Sequence, residues 1–321
     1  MKYYIFLIFS SLLTAISFAC KKKYNKYAKD GLINVFLFVV GYSFISAVIL
    51  LPFVGKNWSM SLVCLWIAIG QSAAVMITQC LSIRCCMLGD LLIMTMFECL
   101  GATIIPFLLG TIFFNEPATI LKIMGVVVMV IALALPSVFA LTKEKQKTNK
   151  WYWILSTILF FTNGIAGGIA VFKVHYAPQV TSALFSSISN AIIGLIALVI
   201  VAILFFRNRT PKNTTAIENI QTTSLNDGLV REDEIATRKL KIAKIIAMIF
   251  VFLYAATICF GDYLALLALN GLPLSVRSPV SMGLIMVFIA LVDFVVFKEK
   301  LKIVNIVSMV VAIGGVVMIS L

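Results

Sequence analysis

Five polar side chains stand inside long apolar stretches of the sequence, and they carry the chemistry that the chain could perform. They are two carboxylates, one guanidinium and two amides: Glu98, Asp262, Arg277, Asn163 and Gln79. A charged group at the centre of a bilayer costs about 2.5–3.5 kcal/mol on insertion scales, so such residues are functional candidates by default. Groups of these types can bind a polar solute or exchange protons. We therefore interpret the five as candidate substrate-binding or coupling residues.

Glu98 lies in the stretch MTMFECLGATIIPF, with Gly101 and Pro106 following on nearly the same helical face. A proline inside a helix leaves a backbone carbonyl without its usual donor and permits a kink, which can open a polar cavity. One hypothesis makes Glu98 a titratable or substrate-contacting carboxylate. The alternative makes it a structural partner for a cation such as Arg277, or a carboxyl kept neutral by burial.

Arg277 and Asp262 flank a break between two apolar stretches. Arg277, in LPLSVRSPVSMG, could bind a carboxylate or phosphate with its planar fork, or could extend to the membrane interface from a helix end. Asp262, in TICFGDYLALL, aligns near Gln79 of an earlier apolar stretch. It could shuttle protons, or it could make a packed hydrogen bond to a neighbouring helix.

Asn163 belongs to the glycine-rich stretch FFTNGIAGGIAVFK. Its glycines predict close helix packing, because small residues let two backbones approach each other. Asn163 could add a hydrogen bond to a solute.

The sequence excludes several other kinds of chemistry. A single His and seven Cys without zinc-ligand spacing predict no metal site. Phosphate-binding loops, nucleophile elbows and metalloprotease motifs are absent, so we expect neither catalytic residues nor a cofactor, and no enzyme. The net charge of +13 does not indicate nucleic-acid binding, because the basic residues flank apolar stretches and are better explained by membrane topology.

The elements that must position these residues are membrane-spanning helices. The chain of 321 residues is 62% hydrophobic and 12% charged, with a mean hydropathy of +1.08. About 20 apolar helical residues span the hydrocarbon core, whereas barrel strands are short and alternate in polarity. An all-α membrane protein is therefore predicted, with ten helices at about 3–19, 31–54, 60–82, 88–114, 119–141, 151–172, 180–206, 241–268, 276–297 and 302–321. The first could instead be a signal peptide that precedes Cys20.

Two internal similarities predict a duplication. FFNEPATILKIMG resembles VFKEKLKIVNIVS at an offset of 183, and FACKKKY at 18–24 resembles AVFKVHY at 170–176 at an offset of 152. The polar segment 207–240, predicted to be a flexible loop, accounts for the difference of about 31 residues. The domains predicted are thus two five-helix repeats, 1–142 and 150–321.

The repeated carboxylates Glu116 and Glu299 mark the boundaries between helices in this interpretation and are not expected to bind anything. A repeat with an odd number of spans enters the membrane reversed the second time, as in many secondary transporters. The repeats are therefore predicted to be inverted.

The chain resembles the drug/metabolite transporter superfamily, in particular its EamA-like family. The resemblance rests on FFNEPATILKIMGVVVMVIALAL, on VFKEKLKIVNIVSMVVAIGGVVMI and on ALNGLPLSVRSPVS, and it covers nearly all of the chain except 207–240. It implies ten spans in two repeats and a central cavity lined by the fourth and ninth helices. The chain departs from the family where LLTAISF replaces a Trp-Gly pair in the first helix. The membrane-embedded Glu of the small multidrug relatives has no counterpart in that helix.

We therefore expect a small-molecule transporter that works by alternating access, with proton coupling as an open possibility. The alternative is a membrane scaffold or sensor protein with the same fold. The expected partners are a small-molecule solute and the lipid bilayer, with a homodimer left open and no nucleic acid. The cell membrane, inner or plasma, is the expected location.

The loops after the first, third, fifth, seventh and ninth helices hold 21 of the 26 Lys and Arg residues. Because basic residues favour the cytoplasmic side, this count predicts that these loops are in the cytoplasm and that both termini are outside. The usual family orientation is the opposite.

Overall fold

The computed structural model describes the backbone of residues 2–27, 32–55, 58–88, 91–143, 150–209, 227–298 and 303–320. Within these ranges the protein consists of α-helices and one short 3-10 helix at Leu51–Phe53. The helices are α1 (Lys2–Tyr27), α2 (Leu32–Leu50), α3 (Leu62–Leu88), α4 (Leu91–Phe113), α5 (Ile120–Lys143), α6 (Lys150–Tyr176), α7 (Ser182–Arg209), α8 (Asp227–Ala268), α9 (Leu274–Phe297) and α10 (Ile303–Ser320).

Each predicted apolar span corresponds to one of these ten helices, which confirms the all-α prediction. The largest difference is at α8, which begins at Asp227, 14 residues before the predicted span at 241. The predicted loop over 207–240 is therefore wrong for 207–209, which belong to α7, and for 227–240, while residues 210–226 lie outside the described ranges. The segment DGLVREDEIATRKL is polar but contains several good helix formers, and α8 continues through it.

The outer surface of the bundle is apolar. Large hydrophobic side chains are strongly exposed along the helices, for example Val48 at 64% and Trp66 at 66%. Eight helices are long and apolar enough to cross a membrane, and α4 and α5 contain the shorter apolar stretches Phe97–Phe113 and Ile120–Leu135. Contiguous exposed apolar surface of this extent is suited to lipid. The fold is consistent with a multi-pass membrane protein.

One end of the bundle is formed by the loops that follow α2, α4, α6 and α8. Buried or half-buried residues of these loops pack in a single hydrophobic cluster, including Val54, Phe114, Val180 and Leu269. We call this end the even-loop end. The opposite end, where α1, α3, α5, α7 and α9 end, is called the odd-loop end.

Most helix pairings join the first five helices to the last five. α1 packs on α8 and α9, and α6 packs on α3 and α4. α2 packs on α7 and α8, and α3 packs on α7 as well as on α6. α4 packs on α9 and α5, while α10 packs on α5 and α9.

Small residues allow the closest of these contacts. A Cβ atom at Gly164 of α6 would lie 2.6 Å from the Gly101 carbonyl oxygen of α4. A Cβ at Gly125 of α5 would lie 3.0 Å from the Gly315 carbonyl oxygen of α10, and the reverse distance is 3.1 Å. These contacts confirm the predicted packing role of the α6 glycines. Ser72 adds a hydrogen bond from its hydroxyl to the Ser189 carbonyl of α7, at 2.9 Å, as is common between membrane helices.

Candidate functional site

Three aromatic rings meet between α2 and α8 at middle depth in the bundle. The ring centroid of Tyr254 lies 5.0 Å from that of Tyr42 and 4.9 Å from that of Phe38, and the last two are 5.5 Å apart. All three side chains are buried. We call them the aromatic wall. Rings at these distances and angles pack favourably edge to face or tilted.

Asp262 faces an opening in the bundle. It keeps the accessible surface of an exposed residue, although protein atoms lie densely around its carboxylate. We call this opening the cavity. Asp262 lies near the end of α8 at Ala268, so the cavity is in the even-loop half.

Arg277, on the first turns of α9, interacts electrostatically with Asp262. Its Nε atom is buried and has no hydrogen-bond partner among the described residues. The predicted alternative, in which Arg277 extends to the membrane interface, therefore does not describe this structure. A buried guanidinium with an unused donor can bind an acceptor group on a solute in the cavity. Asp262 and Arg277 together are called the even-loop pair.

Glu98 lies on α4, in the odd-loop half of the bundle. Its charged neighbour is Lys21 of α1, and Ser82 of α3 lies nearby, with its hydroxyl donating to the Met94 sulfur at 3.5 Å. The predicted alternative of Arg277 as its partner is thus replaced by Lys21. Lys21 is half-buried near the end of α1. Glu98 and Lys21 together are called the odd-loop pair.

Asn163 holds α4 in place. Its side-chain Nδ2 donates a hydrogen bond of 2.8 Å to the backbone carbonyl of Glu98. This bond lies one turn from the close contact between Gly101 and Gly164, so α6 positions the part of α4 that carries Glu98. Contact between Asn163 and a solute stays a prediction.

The two carboxylates face a common interior. The Tyr254 hydroxyl interacts electrostatically with both Glu98 and Asp262, and the Tyr42 hydroxyl interacts with Asp262. Tyr254 of the aromatic wall is thus a neighbour of a carboxylate from each pair. Arg277 neighbours Asp262, and Asn163 contacts the backbone of Glu98.

Gln79 lies on α3 and is half-buried. The described interactions of Glu98, Asp262 and Arg277 do not include it, so its role in the site stays a prediction. Among the described residues, no group of three or more His, Cys, Asp or Glu side chains could hold a metal ion.

The sequence analysis missed the aromatic wall, Lys21 and Ser82. One signal was present: Tyr42 and Tyr254 stand near the middle of apolar stretches, whereas tyrosines of membrane helices usually collect at the interfaces. A mid-span tyrosine that is buried needs a partner for its hydroxyl, and this requirement points to a polar interior.

Glu116 was also missed as a binding group. It does lie at the boundary between α4 and α5, but its carboxylate accepts two backbone hydrogen bonds from the start of α9. The Leu274 N–H donates to Oε1 and the Ser275 N–H donates to Oε2, both at 2.7 Å. The first N–H groups of a helix lack partners within the helix, so a carboxylate there is strongly favoured. Glu116 thereby fixes the helix that carries Arg277.

Comparisons with known proteins are informative about the fold alone. No protein-family model and no curated protein matches the sequence. Several solved structures do match, and one of them, described only as "Crystal structure of protein", superposes with a TM-score of 0.67. The match covers 99% of this chain and 96% of that chain at 9% sequence identity. The chain is thus similar along its whole length to a fold that exists in a solved protein.

Proposed function

We propose that this protein is a small-molecule transporter that works by alternating access. The observation that carries the proposal is the set of polar groups inside an apolar helical bundle: Asp262 at the cavity and Arg277, whose Nε atom is buried without a hydrogen-bond partner among the described residues. An interior polar site of this kind is costly in a membrane protein and is typical of a solute pathway. The two charged pairs provide acceptors and donors for a polar solute, and the aromatic wall provides an apolar contact face.

The pattern of helix pairing supports a duplicated architecture with inverted five-helix repeats, 1–142 and 150–321. Exchanging each helix for its counterpart five places along the chain maps the α1–α8 pairing onto α6–α3, and the α4–α6 pairing onto α9–α1. The α2–α7, α4–α9 and α5–α10 pairings map onto themselves. Two repeats related by a twofold axis in the membrane plane would produce this pattern.

The backbone of the two repeated breaks supports the same interpretation. Asn115 and Lys298, which precede the repeated glutamates, have φ angles of 50° and 53°. Non-glycine residues rarely adopt this left-handed region, so finding it at equivalent positions argues for a shared local structure. We further propose that the chain belongs to the drug/metabolite transporter superfamily, EamA-like family, and that it is located in an inner or plasma membrane.

Purified protein in lipid vesicles tests the proposal. Vesicles with the parent chain should take up at least one solute from a mixture of metabolites faster than vesicles without protein, as measured by mass spectrometry. We expect Asp262→Asn to lower that flux about tenfold, which corresponds to the loss of about 1.4 kcal/mol of interaction with the solute. Absence of flux for every solute, or unchanged flux in Asp262→Asn, would contradict the proposal.

Thr257→Val is the matched control. Thr257 lies on the same helix, and its hydroxyl bonds the Leu253 carbonyl of that helix at 2.8 Å. Flux in this variant should equal that of the parent chain.

Proton coupling is tested separately, by imposing a pH gradient. Coupling through these carboxylates is wrong if Glu98→Gln and Asp262→Asn both leave the gradient-driven flux intact.

A further inference from the structure

The loop between α4 and α5 joins two helices of the second half of the chain at the even-loop end. The Phe114 ring packs on Phe172 and His175 of α6, with centroid distances of 5.4 and 5.5 Å. Two residues further on, the Glu116 carboxylate binds the N-terminus of α9. One short segment of the first half therefore connects the end of α6 to the start of α9.

The loop is built to present this carboxylate. Asn115 has a φ of 50°, a region that Asn tolerates better than most residues, and the chain turns there. The Glu116 N–H donates to the Gly110 carbonyl at 3.1 Å, which ties the loop back onto α4. Pro117 follows and disfavours helical backbone at Glu116. Both ends of the loop are therefore held, and the side chain of Glu116 is directed at α9.

The α9 side of this contact is closely packed and buried, while Glu116 itself is half-buried. Leu274 and Ser275, whose N–H groups Glu116 binds, are 1% and 0% exposed. Gly110 of α4 lies directly beneath the carboxylate, because a Cβ there would be 2.5 Å from Glu116 Oε2 and 3.0 Å from the Ser275 nitrogen. Water cannot reach these donors in this conformation, so separating the two parts would leave them without partners until solvent entered.

We infer that Glu116 is a latch that keeps the even-loop end closed, and that its release from the α9 N-terminus is required for that end to open. The inference rests on the proposed alternating access, which requires each end to open in turn. Glu116 would then have a function in the transport cycle, as a positioning residue that acts through α9. Arg277 lies on the same first turns of α9, so movement of this helix would also move one member of the even-loop pair.

Thiol labelling at Ser275 tests the inference without any solute. Ser275→Cys in an otherwise cysteine-free chain places a thiol beside the contact, at a position that is closed in this structure. We expect slow labelling by a membrane-impermeant maleimide. Adding Glu116→Gln should raise the labelling rate about tenfold, because the amide NH₂ would face one of the two N–H donors and remove a charge-assisted bond.

Thr119→Ala is the control in the same loop. The Thr119 hydroxyl accepts the Lys122 N–H at the start of α5, at 3.3 Å, and does not take part in the α9 contact. Labelling in this variant should stay within about twofold of the parent rate, since that bond caps the start of α5 and acts locally. Unchanged labelling in Glu116→Gln protein that remains folded would overturn the inference.

Gly110→Ala provides a second approach to the same contact, since its added methyl group must displace the Glu116 carboxylate. It should also raise the labelling rate. If Glu116→Gln and Gly110→Ala both abolish folding while Thr119→Ala does not, the contact is only structural and the inference is overturned. Faster labelling in chains that transport nothing would leave the latch in place and overturn the proposed function instead.

Discussion

The two charged pairs on either side of the aromatic wall have different surroundings. The even-loop pair consists of charges on two consecutive helices, and its cation, Arg277, has a buried Nε atom. The odd-loop pair joins Glu98 to a half-buried lysine near a helix end. An enclosed charge depends on its partner far more than a charge near solvent does. We therefore expect Arg277 to contribute more to stability than Lys21 does.

Arg277→Met should have the largest effect on stability. It would remove the guanidinium that neighbours Asp262 and whose Nε atom is buried. Losing one partner of a fully buried pair costs about 3–5 kcal/mol, which is the upper bound for this pair because Asp262 keeps accessible surface. The measurement is thermal unfolding of the purified protein in detergent. Asp262→Asn in the same chain should restore much of the loss, because the unpaired charge is then gone. A double variant as unstable as Arg277→Met would show that the two charges are not coupled.

Asn163→Ala should have an intermediate effect, on the odd-loop half alone. It removes one hydrogen bond to the Glu98 carbonyl, which contributes about 0.5–1.5 kcal/mol. Thr157→Ala, on the same helix, is the control, because the Thr157 hydroxyl bonds only the Trp153 carbonyl of its own helix. If Asn163→Ala lowered the unfolding temperature no more than this control does, α6 would not position Glu98.

Lys21→Gln should have the smallest effect, because a half-buried pair near solvent contributes about 0–1 kcal/mol. Thermal unfolding should shift by no more than a few degrees, and the same substitution should matter less in high salt. A loss as large as that of Arg277→Met would mean that the two pairs are equivalent, which would contradict the comparison above.

The helices were predictable because the cost of exposing backbone polar groups to lipid makes long apolar stretches helical. The polar start of α8 was not predictable on that basis. It is helical because its residues have good helix propensity and because it continues directly into the apolar part of α8. Glu98, Asp262 and Arg277 were found because a charge in an apolar stretch is conspicuous.

The partners of these residues were not found, because pairing across helices depends on packing that the sequence does not display. Lys21 belongs to a run of lysines, KKK, in which nothing distinguishes the one that neighbours Glu98. Glu116 lies in a polar break that is sufficiently explained as a loop, and its contact with Leu274 and Ser275 spans more than 150 positions of sequence. Long-range contacts of this kind require the three-dimensional structure.

Two-sided labelling of the cavity tests the central claim most directly. Asp262→Cys in an otherwise cysteine-free chain places a thiol at the cavity surface, and Val48→Cys, which is 64% exposed on the outer face, serves as the lipid-facing control. An impermeant reagent should label the cavity thiol when added to either side of the membrane in separate experiments, and should not label the control. Labelling of the cavity thiol from one side only, or from neither, would contradict alternating access through this site.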